Sequence, residues 1–220
     1  MAGAVIVMLR SRVLWKVHSK DHAVAALRLV EDDDPGDRVT PLSGTQLAAH
    51  LDYETNVATT AELTRAGHRT SLWVEAELGA IGGKDGAHAP GVRTDPDQAA
   101  SFVARTGVDG LAVAVGSSHA MTSATAELDV DLIARLAERL PVPLVLHGSS
   151  GVPVAALRAA VAAGIRKINV GTALNVGYTA RVRQYLAEDG AVTDPRKYLA
   201  PARDAVRDVV DRLGTELSHA

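Results

Sequence analysis

Two hydrophobic patterns alternate along the chain from residue 51 onward. Short, unbroken apolar runs predict strands that are buried on both faces, and they occur at 72–79, 108–115, 144–146 and 165–170. Between them, apolar residues recur every three or four positions, which predicts helices at 52–68, 94–106, 128–140, 154–163, 173–187 and 198–217. Strict alternation of strands with helices implies a parallel sheet.

Residues 1–50 follow these patterns poorly. The runs 4–8 and 13–17 are candidate strands, and residues 23–30 have a helical spacing of apolar positions. An acidic run with proline and glycine at 31–37 is typical of a solvated loop. We therefore expect one domain over 1–220, in which 1–50 is divergent or poorly ordered.

Polar residues follow each of the four clear strands. These are Glu77 with the loop that follows it, then His119, then His147 with a glycine- and serine-rich turn, then the segment Asn169 to Thr172. In a (β/α) barrel the carboxyl ends of the strands form the site, whereas a doubly wound sheet binds ligands at one switch point. A TIM-barrel type α/β fold, (β/α)8, is therefore the better interpretation. Four clear strands and two N-terminal candidates fall short of eight, so we expect an incomplete barrel that lacks one or more N-terminal βα units.

His147 lies where an apolar strand meets a turn that can bind an anion. Gly148 and Gly151 permit unusual backbone angles, and Ser149 and Ser150 add hydroxyl groups. A histidine beside such a turn suits a metal and phosphate site. The alternative is a strand-end histidine that is satisfied by a backbone carbonyl.

The two acidic residues of the first clear strand share one face. Glu75 and Glu77 are two residues apart, and strand side chains alternate between faces. Buried carboxylates need a partner or a cation, so these two suggest a site. The alternative is exposure on an edge strand.

The composition narrows the function classes. The formal net charge of −3 gives no electrostatic case for nucleic acid or a membrane surface. The chain contains no cysteine, so a disulfide framework and a thiolate metal site are excluded. These features fit a soluble, cytoplasmic protein, and the apolar opening residues are too few to span a membrane.

Four consecutive strand-end motifs resemble those of the class II (zinc-dependent) ketose-bisphosphate aldolases, and most closely the fructose- and tagatose-bisphosphate branch. The motifs are VEAELG with GG-x-DG, VGSSHA, PLVLHGSSGVP and KINVGT, followed by DPRKYLAPARDAV. The resemblance covers residues 51 to the C-terminus. It implies a TIM barrel that cleaves a ketose 1,6-bisphosphate into dihydroxyacetone phosphate and an aldehyde, glyceraldehyde 3-phosphate. It also implies a homo-oligomer, a dimer or a tetramer.

The resemblance implies roles for individual residues. His119 and His147 match two zinc-ligand histidines, and Glu77 matches an acid at an alternative or second metal position. The zinc would polarise the ketone and stabilise the charge left by carbon–carbon cleavage. Two segments match those that hold the dihydroxyacetone phosphate moiety: Gly148, Ser149 and Ser150, and Asn169, Val170, Gly171 and Thr172. Since His119 and His147 end neighbouring strands about 4.8 Å apart, we expect them to converge on one metal.

The chain departs from the family pattern at three places. Ala120 replaces a glycine, and Lys84 and Asp85 stand where the loop motif carries an acid. The H-x-D-H motif that holds the catalytic aspartate and the first zinc ligand is absent. The nearest match is HSKDH, which maps Asp21 as the proton donor and His22 as the first zinc ligand; the alternative is a coincidental charged turn.

Three functions stay open from the sequence. The first is the zinc-dependent aldolase, acting on a small phosphosugar. The second is a catalytically inactive, truncated aldolase-like protein. The third is another phosphosugar barrel enzyme, an isomerase or epimerase. We further expect that residues 13–17 lie parallel to the sheet and bring His22 to the other two histidines.

Overall fold

The computed structural model describes residues 2–8, 12–18, 26–27, 52–69, 72–78, 92–118 and 121–218. Within these ranges, seven strands form one sheet with the order β2-β1-β7-β6-β5-β4-β3. The strands are β1 (Ala2–Met8), β2 (Arg12–His18), β3 (Ala26–Leu27), β4 (Trp73–Leu78), β5 (Gly110–Val113), β6 (Leu144–Leu146) and β7 (Ile165–Val170).

The centre of the sheet is parallel. Strands β4, β5, β6 and β7 pair with one another in sequence order and in parallel. The four clear strands predicted from the sequence are therefore present and neighbour one another as expected. Their carboxyl ends lie at the same edge of the sheet.

Helices connect the parallel strands and cover the sheet. They are α1 (Tyr53–His68), α2 (Pro96–Thr106), α3 (Val130–Arg139), α4 (Val154–Ala163), α5 (Thr172–Glu188) and α6 (Pro195–Ser218). Three of them begin at an aspartate whose side chain accepts a backbone N–H of the first turn: Asp52, Asp95 and Asp129. These caps fix where each helix starts, close to the predicted boundaries. In the described ranges, no helix is long and apolar enough to cross a membrane.

The two faces of the parallel sheet differ in chemistry. The face that packs with the helices carries large apolar side chains, including Leu111, Leu144 and Ile168. The opposite face carries the small residues Ala112, Ala114 and Val145. Charged side chains share this opposite face, which we call the inner face.

A β-bulge interrupts the pairing of β6 with β7. Leu144 pairs with Ile165, but the next pair is Val145 with Lys167, so Arg166 has no counterpart on β6. Beyond the bulge the pairing is regular again, with Leu146 opposite Ile168. The extra residue sets which side chains of β7 reach the inner face.

The two N-terminal candidate strands are present as β1 and β2, but they join the sheet in an unexpected way. Strands β1 and β2 form an antiparallel pair, and β1 pairs antiparallel with β7. β2 therefore runs in the direction of the parallel strands, but it joins the sheet through an antiparallel neighbour and not as a βα unit. The predicted helix at 23–30 is wrong at Ala26–Leu27, which form the short strand β3 beside β4.

Candidate active site at the carboxyl ends of the parallel strands

His147 lies between the two carboxylates of β4. Its Nδ1 is 2.8 Å from Oε2 of Glu77, and its Nε2 is 3.0 Å from Oε1 of Glu75. Glu75 and Glu77 are only 8% and 9% exposed. Exposure of these acids on an edge strand is therefore wrong, and so is the interpretation of His147 as a histidine satisfied by a backbone carbonyl alone.

Lys167 closes the arrangement from the neighbouring strand β7. Its Nζ forms an ion pair with Oε2 of Glu75, and the side chain is 6% exposed. The ammonium group also lies 5.6 Å from the centre of the Trp73 ring, within cation–π range. The inner face thus carries a continuous chain of charged groups from Lys167 through Glu75 to His147 and Glu77.

The charges of these groups depend on one another. Burial is the largest influence on Glu75 and opposes its ionisation, but Lys167 and His147 outweigh it and hold the pKa of Glu75 below its ordinary value. Burial is also the largest influence on His147 and would lower its pKa, but the hydrogen bonds to Glu75 and Glu77 raise that pKa. A ring nitrogen donates only when it carries a proton, so the tautomer of His147 decides which carboxylate accepts a hydrogen bond. The two carboxylates hold the ring from both sides.

The turn after His147 approaches the end of β5 closely. Gly148 has a φ of 67°, and a β-carbon there would lie 2.5 Å from the carbonyl oxygen of Ser118. Only glycine fits this conformation and this contact without strain. The glycine therefore brings the His147 turn against the chain segment that leads into His119.

The two segments assigned to phosphate lie side by side. The backbone N–H of Ala173 donates to Oγ of Ser150 over 3.0 Å, which joins the β6 turn to the first turn of α5. The helix begins directly after Gly171, so its N-terminal N–H groups lie at this junction. A β-carbon on Gly171 would meet nothing within 4 Å among the described residues.

Two buried polar atoms near the strand ends have no hydrogen-bond partner among the described residues. They are Oδ1 of Asn169 and Oγ of Ser117. Asn169 follows Lys167 by two residues on β7, so both side chains lie on the inner face. An unpaired buried amide oxygen is costly unless a ligand or water reaches it.

The structure describes part of the predicted metal set. Glu77 and His147 are in contact, whereas Asp21, His22 and His119 lie outside the described residues. The expected convergence of His119 with His147 and the placement of His22 therefore stay predictions. The strands that precede His119 and His147, β5 and β6, are neighbours. Within the described part of the chain, no group of three metal-ligating side chains has an arrangement that would hold an ion.

Sequence reasoning did not predict that Glu75 contacts His147, or that Lys167 and Trp73 lie behind Glu75. The lysine was visible in the KINVGT motif, where a charged residue interrupts an apolar strand. This lysine could have predicted a buried ion pair, because a lysine within a strand buried on both faces needs a counter-charge. Which carboxylate it meets depends on the bulge in β7, which the sequence does not reveal.

Parallel β/α units with polar groups gathered at the strand ends define a protein of the TIM-barrel type. Solved structures support this fold. The YdjI aldolase from Escherichia coli K12 matches with a TM-score of 0.62 and 35% identity, over 77% of this chain and 57% of that chain. A putative fructose-1,6-biphosphate aldolase from Coccidioides immitis matches with a TM-score of 0.62 and 28% identity, over 78% and 62% of the two chains.

The family model for class-II fructose-bisphosphate aldolase matches residues 47–220. A curated relative, the D-tagatose-1,6-bisphosphate aldolase subunit GatY of Klebsiella oxytoca, is 38% identical over 169 residues, which are 75% of this chain and 60% of the relative. The chain therefore belongs to the class II fructose-bisphosphate aldolase family. It spans about 60% of the length of that relative.

Proposed function

We propose that the protein is a class II ketose-bisphosphate aldolase, which cleaves a ketose 1,6-bisphosphate into dihydroxyacetone phosphate and an aldehyde. The observation that carries the proposal is the position of His147, between Glu75 and Glu77 and directly before a turn joined to the start of α5. This arrangement puts a candidate metal ligand next to a candidate phosphate site, as polarisation of a carbonyl beside a phosphorylated carbon requires.

The donor set fits zinc. Imidazole nitrogens and carboxylate oxygens are common zinc ligands, and His147 and Glu77 provide one of each in direct contact. We propose that His119 and His22 complete the set. A zinc ion bound there would act as a Lewis acid on the substrate carbonyl.

The protein's own side chains then orient the ligand and supply the proton. Glu75 accepts the N–H of His147 Nε2 and orients the ring, which leaves Nδ1 on the side of Glu77. Asp21 is proposed to supply the proton at the cleaved bond.

The phosphate is proposed to bind between the β6 turn and the start of α5. Gly148, Ser149 and Ser150 contribute from the turn, and the segment 169–172 contributes from the other side. Positive φ at Gly148 turns its backbone, and the open space at Gly171 leaves room for an anion near the helix N-terminus. Asn169 offers an unpaired Oδ1 to a substrate hydroxyl.

The substrate, the assembly and the location are also proposals. The name of the Klebsiella relative contains tagatose bisphosphate and the word subunit. We accordingly propose fructose or tagatose 1,6-bisphosphate as the substrate, a homo-oligomer as the assembly and the cytoplasm as the location.

Zinc content and cleavage together test this function. We expect purified protein to retain about one zinc per chain and to release dihydroxyacetone phosphate from one of the two ketose bisphosphates. His147→Ala should abolish both, while Arg196→Ala, which removes an exposed cation from the start of α6, should leave zinc content unchanged. A protein that retains no zinc and cleaves neither substrate would favour the catalytically inactive alternative. Isomerisation without cleavage would favour an isomerase or epimerase.

A further inference from the structure

We propose that Lys167 is a positioning residue for His147 and acts through Glu75. The inference rests on the proposed function, because it assigns to His147 the role of a metal ligand. It adds a residue from a second strand to the support of that ligand.

The contacts connect Lys167 to His147 through the carboxylate of Glu75. Lys167 Nζ binds Oε2 of Glu75, and the other oxygen of the same carboxylate, Oε1, is 3.0 Å from Nε2 of His147. A carboxylate that is held at one oxygen by an ammonium group cannot rotate freely. Its second oxygen is therefore fixed in the direction of the histidine ring.

Lys167 is itself held on a second side. Trp73 lies 5.6 Å from its ammonium group, and a β-carbon on Gly110 would come within 2.6 Å of the Trp73 ring. Gly110 thus leaves the space that the indole occupies. The lysine has a defined position between Glu75 and the indole.

Stability alone does not account for this ion pair. All members are buried, and a buried ion pair loses about as much hydration energy as it gains in attraction. The surrounding inner face is built from Ala112, Ala114 and Val145, with Trp73 packed on them. An apolar pair would suit that environment at least as well. A positioning role explains why one oxygen of Glu75 is occupied and the other is aimed at His147.

The consequence is a fixed orientation of the imidazole ring. A ligating histidine commonly donates its second N–H to a carboxylate, and loss of that partner weakens metal binding about 10- to 100-fold. Glu75 is this partner at Nε2, while Nδ1 lies beside the candidate ligand Glu77. Lys167 acts one step further out, through the carboxylate.

A double-mutant cycle on metal binding tests the inference without any assay of cleavage. The four proteins are wild type, Lys167→Met, Glu75→Gln and the double variant. Zinc affinity is measured by competition with a chromophoric chelator, and the Co²⁺-substituted proteins are compared by visible absorption. Lys197→Met, which removes the exposed lysine of α6, is the matched control.

We expect Lys167→Met and Glu75→Gln each to lower zinc affinity about 10- to 100-fold and to shift the Co²⁺ spectrum. In the Glu75→Gln background, Lys167→Met should change the affinity less than about twofold, because its route through Glu75 is already lost. The control should match wild type. If Lys167→Met alone fails to fold, the comparison of Glu75→Gln with the double variant decides, since the double variant has no unpaired buried charge.

Two results would overturn the inference: wild-type affinity and spectrum in Lys167→Met, or a further affinity loss well above twofold in the double variant. Failure of the proposed function looks different. A wild-type protein that binds zinc but cleaves neither substrate rejects the aldolase activity, and the cycle still judges the role of Lys167.

Discussion

Gly148 and Gly171 lie on the two segments assigned to phosphate, but the structure constrains only the first. Gly148→Ala should destabilise the protein by about 1–3 kcal/mol, because alanine resists positive φ and its β-carbon would press on the Ser118 carbonyl. Urea unfolding measures the loss. Gly171→Ala is the matched control and should stay within about 0.5 kcal/mol of wild type. Equal losses in both variants would contradict the assigned geometry.

Gly171→Val is expected to weaken the binding of dihydroxyacetone phosphate while leaving the fold intact. The side chain would enter space that no described residue fills, where we place the phosphate. Isothermal calorimetry measures the affinity, and circular dichroism checks the helices. Unchanged affinity would remove Gly171 from the phosphate site.

Thr94 joins the ends of β4 and β5 through one hydroxyl group. Its Oγ1 donates to the Leu78 carbonyl over 2.9 Å and accepts the Ala114 N–H over 2.7 Å. Thr94→Val keeps the shape but leaves both backbone groups without this partner, so we expect a loss of about 1–3 kcal/mol in the free energy of unfolding. Thr122→Val, at an exposed position, is the control, and chemical denaturation gives both values. A neutral Thr94→Val would mean that other groups satisfy these atoms.

The elements that the sequence predicted well are those with local signals. Strand β7 and helix α4 begin and end at the predicted residues, since an apolar run meets glycine or proline at their boundaries. Strand β5 is shorter than the predicted 108–115, because burial continues past the last ladder pair at Val113. The strand at Ala26–Leu27 was missed, because its pairing with β4 is a distant contact that helical periodicity does not encode.

The contacts of the candidate site also differ in how far the sequence predicts them. His147 and Glu77 were identified because residues at parallel strand ends meet in space, and the structure brings those two into contact. The link from Lys167 to Glu75 joins residues 92 positions apart, and it depends on strand register. Hydrophobic patterns specify which face is buried, but they do not specify which charge lies opposite which.

The N-terminal strands give the molecule an additional expected property. Strand β1 pairs along β7, at the edge of the parallel strands. Deleting residues 1–18 should expose that edge and increase self-association, since an unpaired strand edge recruits other chains. Light scattering at several protein concentrations measures this effect. A deletion variant that scatters like wild type would show that the edge is protected in another way.

The unmatched Arg166 reverses which residues of β7 face the helices and which face the inner side of the sheet. Counting from Ile165, simple alternation would give the helix side to Lys167 and Asn169 and the inner face to Ile168 and Val170. Because of the one extra residue, every later side chain of β7 lies on the opposite face. Lys167 and Asn169 therefore reach the inner face, and Ile168 and Val170 pack with the helices. The groups that β7 brings to the inner face thus depend on the number of residues in the strand as well as on their identity. Deleting one residue at the bulge would disturb the site more than many substitutions.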